Sequence, residues 1–99
     1  MAEKKLLEPA KRKKVTFSFQ NESAKSVHVS GDFCGWDIDS YPMKKKKGEN
    51  IWTAQVVLPK GQYEYKFLVD DQWANDPTNN QVRENSFGTY NNVLDVGSK

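Results

Sequence analysis

LPKGQYEYKFLVDDQWANDP, residues 58–77, decides the fold. Pro59-Lys60-Gly61 reads as a turn, with proline where its fixed φ helps and glycine at the exit. From Gln62 the chain alternates: Tyr63, Tyr65, Phe67 and Val69 share one face, Gln62, Glu64, Lys66 and Leu68 the other. A period of two in aromatic and β-branched residues is the mark of a strand with one face in a core. Asp70-Asp71 breaks the run and returns the chain toward Trp73 and the Asn75-Asp76-Pro77 turn. The strand therefore gives its aromatic face to the interior and holds a lysine on the opposite face, with a tryptophan just past the hairpin. A lysine beside an indole, with no visible catalytic apparatus, suggests a surface that binds something polar with a flat apolar side.

The same alternation recurs outward from this strand. Val15, Phe17 and Phe19 are in phase within KKVTFSFQ, Val27 and Val29 within VHVS, and Trp52, Ala54, Val56 and Leu58 within the run before Pro59. Together with Tyr65, Phe67, Leu94 and Val96 these are the expected core. Tyr41-Pro42-Met43 reads as a short edge strand, because proline cannot donate into a central ladder. The lysine run and Gly48-Glu49-Asn50 read as a turn, and Thr78 to Ser86 shows no pattern. Six or seven short strands without a helical period predict one all-β domain, an immunoglobulin-like antiparallel β-sandwich. Its expected limits are residues 13–97. Residues 1–12 are polar and without period, and read as a flexible basic lead-in.

Composition narrows the class. Ninety-nine residues suit a single domain with bulky core material in three Trp, four Tyr and five Phe. The single cysteine, Cys34, rules out an intrachain disulfide framework and fits a reducing, cytoplasmic compartment. No run approaches a membrane span, and only Leu6-Leu7 interrupts the charges at the start. Ten of the fifteen basic residues lie in two blocks, from Lys4 to Lys14 and from Lys44 to Lys47. Basic arms can bind nucleic acid or acidic membrane, but these read more simply as a solvated tail and loop.

Catalysis finds little support. Glycan hydrolysis needs two carboxylates flanking one bond, whereas Asp70-Asp71 fits a hairpin tip and Asp76 a turn before proline. The lone His28 falls on a strand, and no metal-ligand spacing, nucleophilic triad or phosphate-binding glycine loop is present. Aromatic residues say more. Trp52 is in phase with a buried face, whereas Trp36 and Trp73 sit in polar loops, Gly-Trp-Asp and Gln-Trp-Ala-Asn-Asp, out of phase with any. Indole rings can take the C–H face of a sugar while nearby donors and acceptors collect its hydroxyls.

The order VHVSGDFCGW, LPKGQYEYKFLVDDQWANDP and GTYNNVL resembles the glycogen-binding domain of AMP-activated protein kinase β subunits. More broadly it is similar to the family 48 carbohydrate-binding modules, the isoamylase N-terminal or early-set domains, from about Val15 to Val96. The resemblance implies a β-sandwich that holds α-1,4-linked glucan, glycogen or starch-like, without cutting it. It implies a site of Trp36, Lys66 and Trp73 with Thr89 and Asn91 of the polar loop, no cofactor and no metal. Phe87 takes a position usually filled by leucine, and Asp71 replaces the commoner glycine of the hairpin. The expected partners are glycogen or maltodextrin and a glycogen-metabolising enzyme. Nothing after Val96 matches the segment by which β subunits join their kinase partners, so no kinase-scaffold role is expected. The alternatives are a single-stranded nucleic-acid binder, which stacks bases on aromatics, and a protein-interaction module. Salt separates the first, since phosphate binding weakens steeply with ionic strength.

Overall fold

A computed structural model describes residues 12–46 and 48–97. Among them eight strands form: β1 (Arg12–Gln20), β2 (Val27–Gly31), β3 (Lys44–Lys45), β4 (Ile51–Pro59), β5 (Gly61–Val69), β6 (Gln72–Ala74), β7 (Val82–Glu84) and β8 (Tyr90–Val96), with one 3-10 turn at Asp32–Cys34. They make two antiparallel sheets. One runs β1-β4-β3; the other runs β2-β5-β8-β7, with β6 also paired to β5. This is the expected sandwich.

Alternation decides which side chains fill it. Phe17, Val27, Val29, Trp52, Val56, Leu58, Tyr65, Phe67 and Val96 form the buried cluster, with Val15, Phe19, Ala54 and Leu94 packed against it. Every expected core residue is therefore in the core. Phe67 is its centre: it is fully buried, with the Phe19 ring 5.0 Å away and Tyr65 at 5.9 Å. Burying a ring of this size contributes about 1.5–3 kcal/mol.

Three local readings differ from the structure. Lys44 and Lys45, expected in a turn, pair with Thr53 and Trp52 as β3. Just before them the chain lies along the other sheet, where Val29 N donates to Tyr41 O, Met43 N donates to Val27 O, and Pro42 bridges His28 at the edge. One segment thus crosses from sheet to sheet and closes that side of the sandwich. The turn proper begins at Lys46, whose N–H reaches Ile51 O at 2.8 Å. β7 arises in the stretch read as patternless; all its residues are exposed, so no face of it selects apolar side chains. Arg12, counted with the lead-in, opens β1 opposite Pro59; the rest of that segment and Lys47 lie outside the described residues. No helix among the described residues is long and apolar enough to cross a membrane.

The β5–β6 hairpin turns on Asp70 (φ 48°) and Asp71 (φ 69°), two consecutive left-handed residues as a type I′ turn demands. Asp70 is held there by its side chain, since Oδ1 accepts from the N–H groups of Lys25 and Ser26, both at 2.9 Å. No side-chain hydrogen bond of Asp71 is found among the described residues. Asp71→Gly should therefore stabilise the domain by up to about 1 kcal/mol, whereas Asp70→Gly should destabilise it. Phe67→Ala should cost about 3–5 kcal/mol, enough to unfold much of a domain whose total stability is about 5–15 kcal/mol. Urea denaturation of the three variants checks all of this; a less stable Asp71→Gly would refute the hairpin account.

Candidate functional site

One edge of β5 has two occupants. β8 pairs with Gly61 through Tyr65, and β6 pairs with Phe67 through Val69. Lys66 falls at the break between them, on the outer face. It is only 8% exposed, because the loop between β7 and β8 folds over it. Among the described residues its ammonium has one hydrogen-bond partner, Thr89 Oγ1 at 3.4 Å. The remaining donors of a side chain with three open on a cleft of about 670 Å³.

The covering loop is a turn that its sequence specifies. In Asn85-Ser86-Phe87-Gly88 the Gly88 N–H returns to Asn85 O at 3.3 Å, and Gly88 takes φ 82° so that the chain can re-enter β8. Asn85 Oδ1 accepts from the N–H of Phe87 at 2.9 Å and of Thr89 at 3.1 Å, an Asx turn. Phe87 is thereby lifted to the tip, 88% exposed.

The opposite wall is aromatic. Trp73, on β6 opposite Leu68, is 47% exposed. Trp36 follows the 3-10 turn and Gly35, and takes φ 63°, a left-handed conformation that a bulky residue adopts only under constraint. The constraint is Asp32: Oδ1 accepts the Trp36 indole N–H at 3.1 Å, and Oδ2 accepts Glu64 N at 2.8 Å. Gly31 lets this turn lie against β5, since a Cβ there would sit 2.3 Å from Glu64 O. The two indoles meet edge to face, with centroids 6.1 Å apart and planes at 72°. They form a corner.

Trp36, Lys66, Trp73, Phe87, Thr89 and Asn91 all line this one cleft, joined by Asn85 and Ser86. Asn91 shares its face with Val93, as the alternation of β8 requires, and is 8% exposed. Its Nδ2 donates to Glu64 Oε1 at 2.9 Å and its Oδ1 accepts from Asn85 Nδ2 at 2.9 Å. Cys34 is a half-buried free thiol against Gly31 O and Asp37 O. Asn85, Glu64 and Asp32 carry none of the expected roles although each holds a residue that does. The Asn-x-x-Gly turn signature is a visible signal for Asn85. Glu64 and Asp32 show only as partners, which a one-dimensional pattern does not reveal.

Residues 13–99 match the family described as the glycogen recognition site of AMP-activated protein kinase. The chain belongs to this family. It is 36% identical over 90 residues to 5'-AMP-activated protein kinase subunit beta-2 of Mus musculus, covering 91% of this chain and 32% of that one. With subunit beta-1 of Sus scrofa it shares 38% over 72 residues, 73% of this chain and 55% of the other. It spans about a third of the length of the beta-2 relatives. The fold is also that of a region of maltogenic amylase from S. marinus (TM-score 0.71, 22% identity, 86% of this chain and 14% of that one). A region of ferric enterobactin esterase from Salmonella typhimurium shares it too (TM-score 0.75, 14% identity, 92% and 33%). At those identities the likeness is of fold alone. The family to which the chain belongs is described as a glycogen recognition site.

Glu64 gives this family member a pH signature. The Asn91 amide, and then the Arg83 guanidinium with Nη1 2.8 Å from Oε2, hold its carboxyl below the usual range. A depressed folded value means stability that is present above the ordinary carboxylate pKa of about 4.3 and is lost as pH falls through the lower folded value. Wild type should therefore exceed Glu64→Gln in urea midpoint at pH 7, and the gap should close below about pH 4. A gap that persists in acid would show that Glu64 acts through packing instead.

Proposed function

We propose that the cleft binds α-1,4-linked glucan, glycogen or maltodextrin, and does not cleave it. One observation carries the reading: an aromatic corner, Trp36 against Trp73, faces a bank of polar groups, Lys66, Thr89 and Asn91, across one open cleft. A glucose unit has the matching surfaces, with C–H faces for the indoles and rim hydroxyls for the polar bank. Because the Trp36 N–H is already bonded to Asp32, this indole offers the ligand its π face. Phe87, exposed at the loop tip, adds a third apolar surface that a flexible chain of sugars can meet side-on.

The lining supports binding rather than chemistry. Among the described residues it contains no carboxylate, and Glu64 nearby is engaged by Asn91 and Arg83. It contains one cation among them, Lys66, which argues against a nucleic-acid backbone, whose phosphates call for several. In a cytoplasmic setting, to which the free thiol of Cys34 is suited, such a domain would hold an associated glycogen-metabolising activity on its polymer.

Maltoheptaose titrated against intrinsic fluorescence or by calorimetry tests the site. Trp36→Ala and Trp73→Ala should each weaken binding by about 1–3 kcal/mol, the scale of stacking a ring on an aromatic side chain. Their urea midpoints should stay near wild type, because Trp73 is half exposed and Trp36 lies outside the buried core, so neither truncation opens a core cavity. Lys66→Ala should lose less affinity, and about 0.5 M salt should leave wild-type binding within a few-fold. Full affinity in both tryptophan variants, or a short oligonucleotide bound with a steep salt dependence, would overturn the proposal.

A further inference from the structure

The polar bank of the cleft has a direction, and it is set by groups of fixed polarity at its two ends. Arg83 can only donate, and ionised Glu64 can only accept. With Arg83 Nη1 2.8 Å from Glu64 Oε2, and Asn91 2.9 Å from Oε1, the Asn91 amide must turn its Nδ2 to Glu64 and its Oδ1 away. At the far end the backbone N–H groups of Phe87 and Thr89 also can only donate, so Asn85 must turn its Oδ1 to them. What remains for Asn85 is its Nδ2, which meets Asn91 Oδ1 at 2.9 Å and Thr89 Oγ1 at 2.8 Å. Two ends of fixed polarity thus leave one arrangement for the two amides between them.

We infer that Asn85 is a positioning residue of the cleft: with Glu64 it fixes the orientation of the Asn91 amide, and so which donor and which acceptor a bound sugar meets. This rests on the reading of the cleft as a glucan site. Asn85 also fixes the turn that raises Phe87 and sets Thr89 Oγ1 beside the Lys66 ammonium. Neither Asn85 nor Glu64 need touch the ligand for this. An asparagine amide left free to flip would present its two ends in either sense, and part of every encounter would meet the wrong one.

A polarity swap at both ends tests it at constant net charge. Asn85→Asp replaces the Nδ2 donor by an oxygen that faces Asn91 Oδ1, and the neighbouring Lys66 ammonium can draw the new carboxylate toward itself. Glu64→Gln places Nε2 against Asn91 Nδ2 if Oε1 keeps Arg83. Each single change breaks the network at one end, so each should lower the urea midpoint, and N85D should weaken maltoheptaose binding about tenfold. In the double variant N85D/E64Q, Asn91 can flip as a whole. Its Nδ2 then donates to the carboxylate at position 85, and its Oδ1 accepts from the amide at position 64, whose oxygen keeps Arg83. The midpoint should return to near wild type, a non-additive cycle. Affinity should remain about tenfold low, because the sugar now meets the reversed amide. Additive midpoints would overturn the inference. So would wild-type affinity in N85D, or full affinity in the double variant, where orientation would be shown not to matter. A wild type that binds no maltoheptaose would instead overturn the glucan reading, and the midpoint cycle alone would then decide whether Asn85 and Glu64 fix the amide.

Discussion

The site depends on an edge of β5 that is shared by two strands instead of being completed by one. A single long partner would have paired across Lys66 and left no opening. The break between β6 and β8 is held by Asn92, whose carboxamide is fully buried in it. Its Oδ1 accepts from Asp76 N at 2.7 Å and Asn75 Nδ2 at 3.1 Å, and its Nδ2 donates to Asn79 O at 3.0 Å. Asp76 in turn accepts the Tyr65 hydroxyl at 2.7 Å, which joins the break to the aromatic core. Burial, and then this bond to a carboxylate, push the Tyr65 hydroxyl pKa well up, so it stays a donor. Leaving such a buried group without its partner costs about 1–3 kcal/mol. No buried side-chain nitrogen or oxygen among the described residues lacks one. The gap is therefore as fixed as a paired edge.

That fixity matters because the two walls of the cleft come from distant parts of the chain. Trp36 arrives from the end of β2 and Trp73 from β6, while Thr89 and Asn91 arrive with β8. Asp32 ties the first to the backbone of β5, and Asn75, through Tyr90 O at 2.8 Å, ties the second to the third. A ligand as flexible as a glucan loses conformational freedom on binding, so little can be spent on ordering the protein as well. The left-handed backbone of Trp36 is strain of about 1–3 kcal/mol that the surrounding bonds hold in place before any ligand arrives.

Most of the fold is legible in period-two alternation, because a strand with one face in the core must place Phe17, Val29, Trp52 and Phe67 in phase. Alternation fails where neither face is buried. β7 is exposed throughout, and Lys44–Lys45 pair only at an edge, so backbone hydrogen bonding alone makes them strands. The cleft is legible as a set of residue types through resemblance to a family. Its shape is not: nothing in one dimension says that β5 has a divided edge, that Lys66 lies covered, or that the indoles meet at a corner. The bonds by which Asp32 and Glu64 support the cleft span up to 32 positions and have no local signature, whereas those of Asn85 stay within or next to its own turn.

The chain has three tryptophans, and their placement divides the protein's ultraviolet behaviour in two. Trp52 lies in the core, 8% exposed, and its excited state is shielded from water. Trp36 and Trp73 stand 6.1 Å apart with their planes at 72°, near enough for their transition dipoles to couple and skewed enough for that coupling to be chiral. The corner should therefore carry a circular-dichroism band of its own, separate from the sheets and from Trp52. Anything that wedges the two rings apart dims that band while the core signal stands still, so the cleft reports its own occupancy without a label.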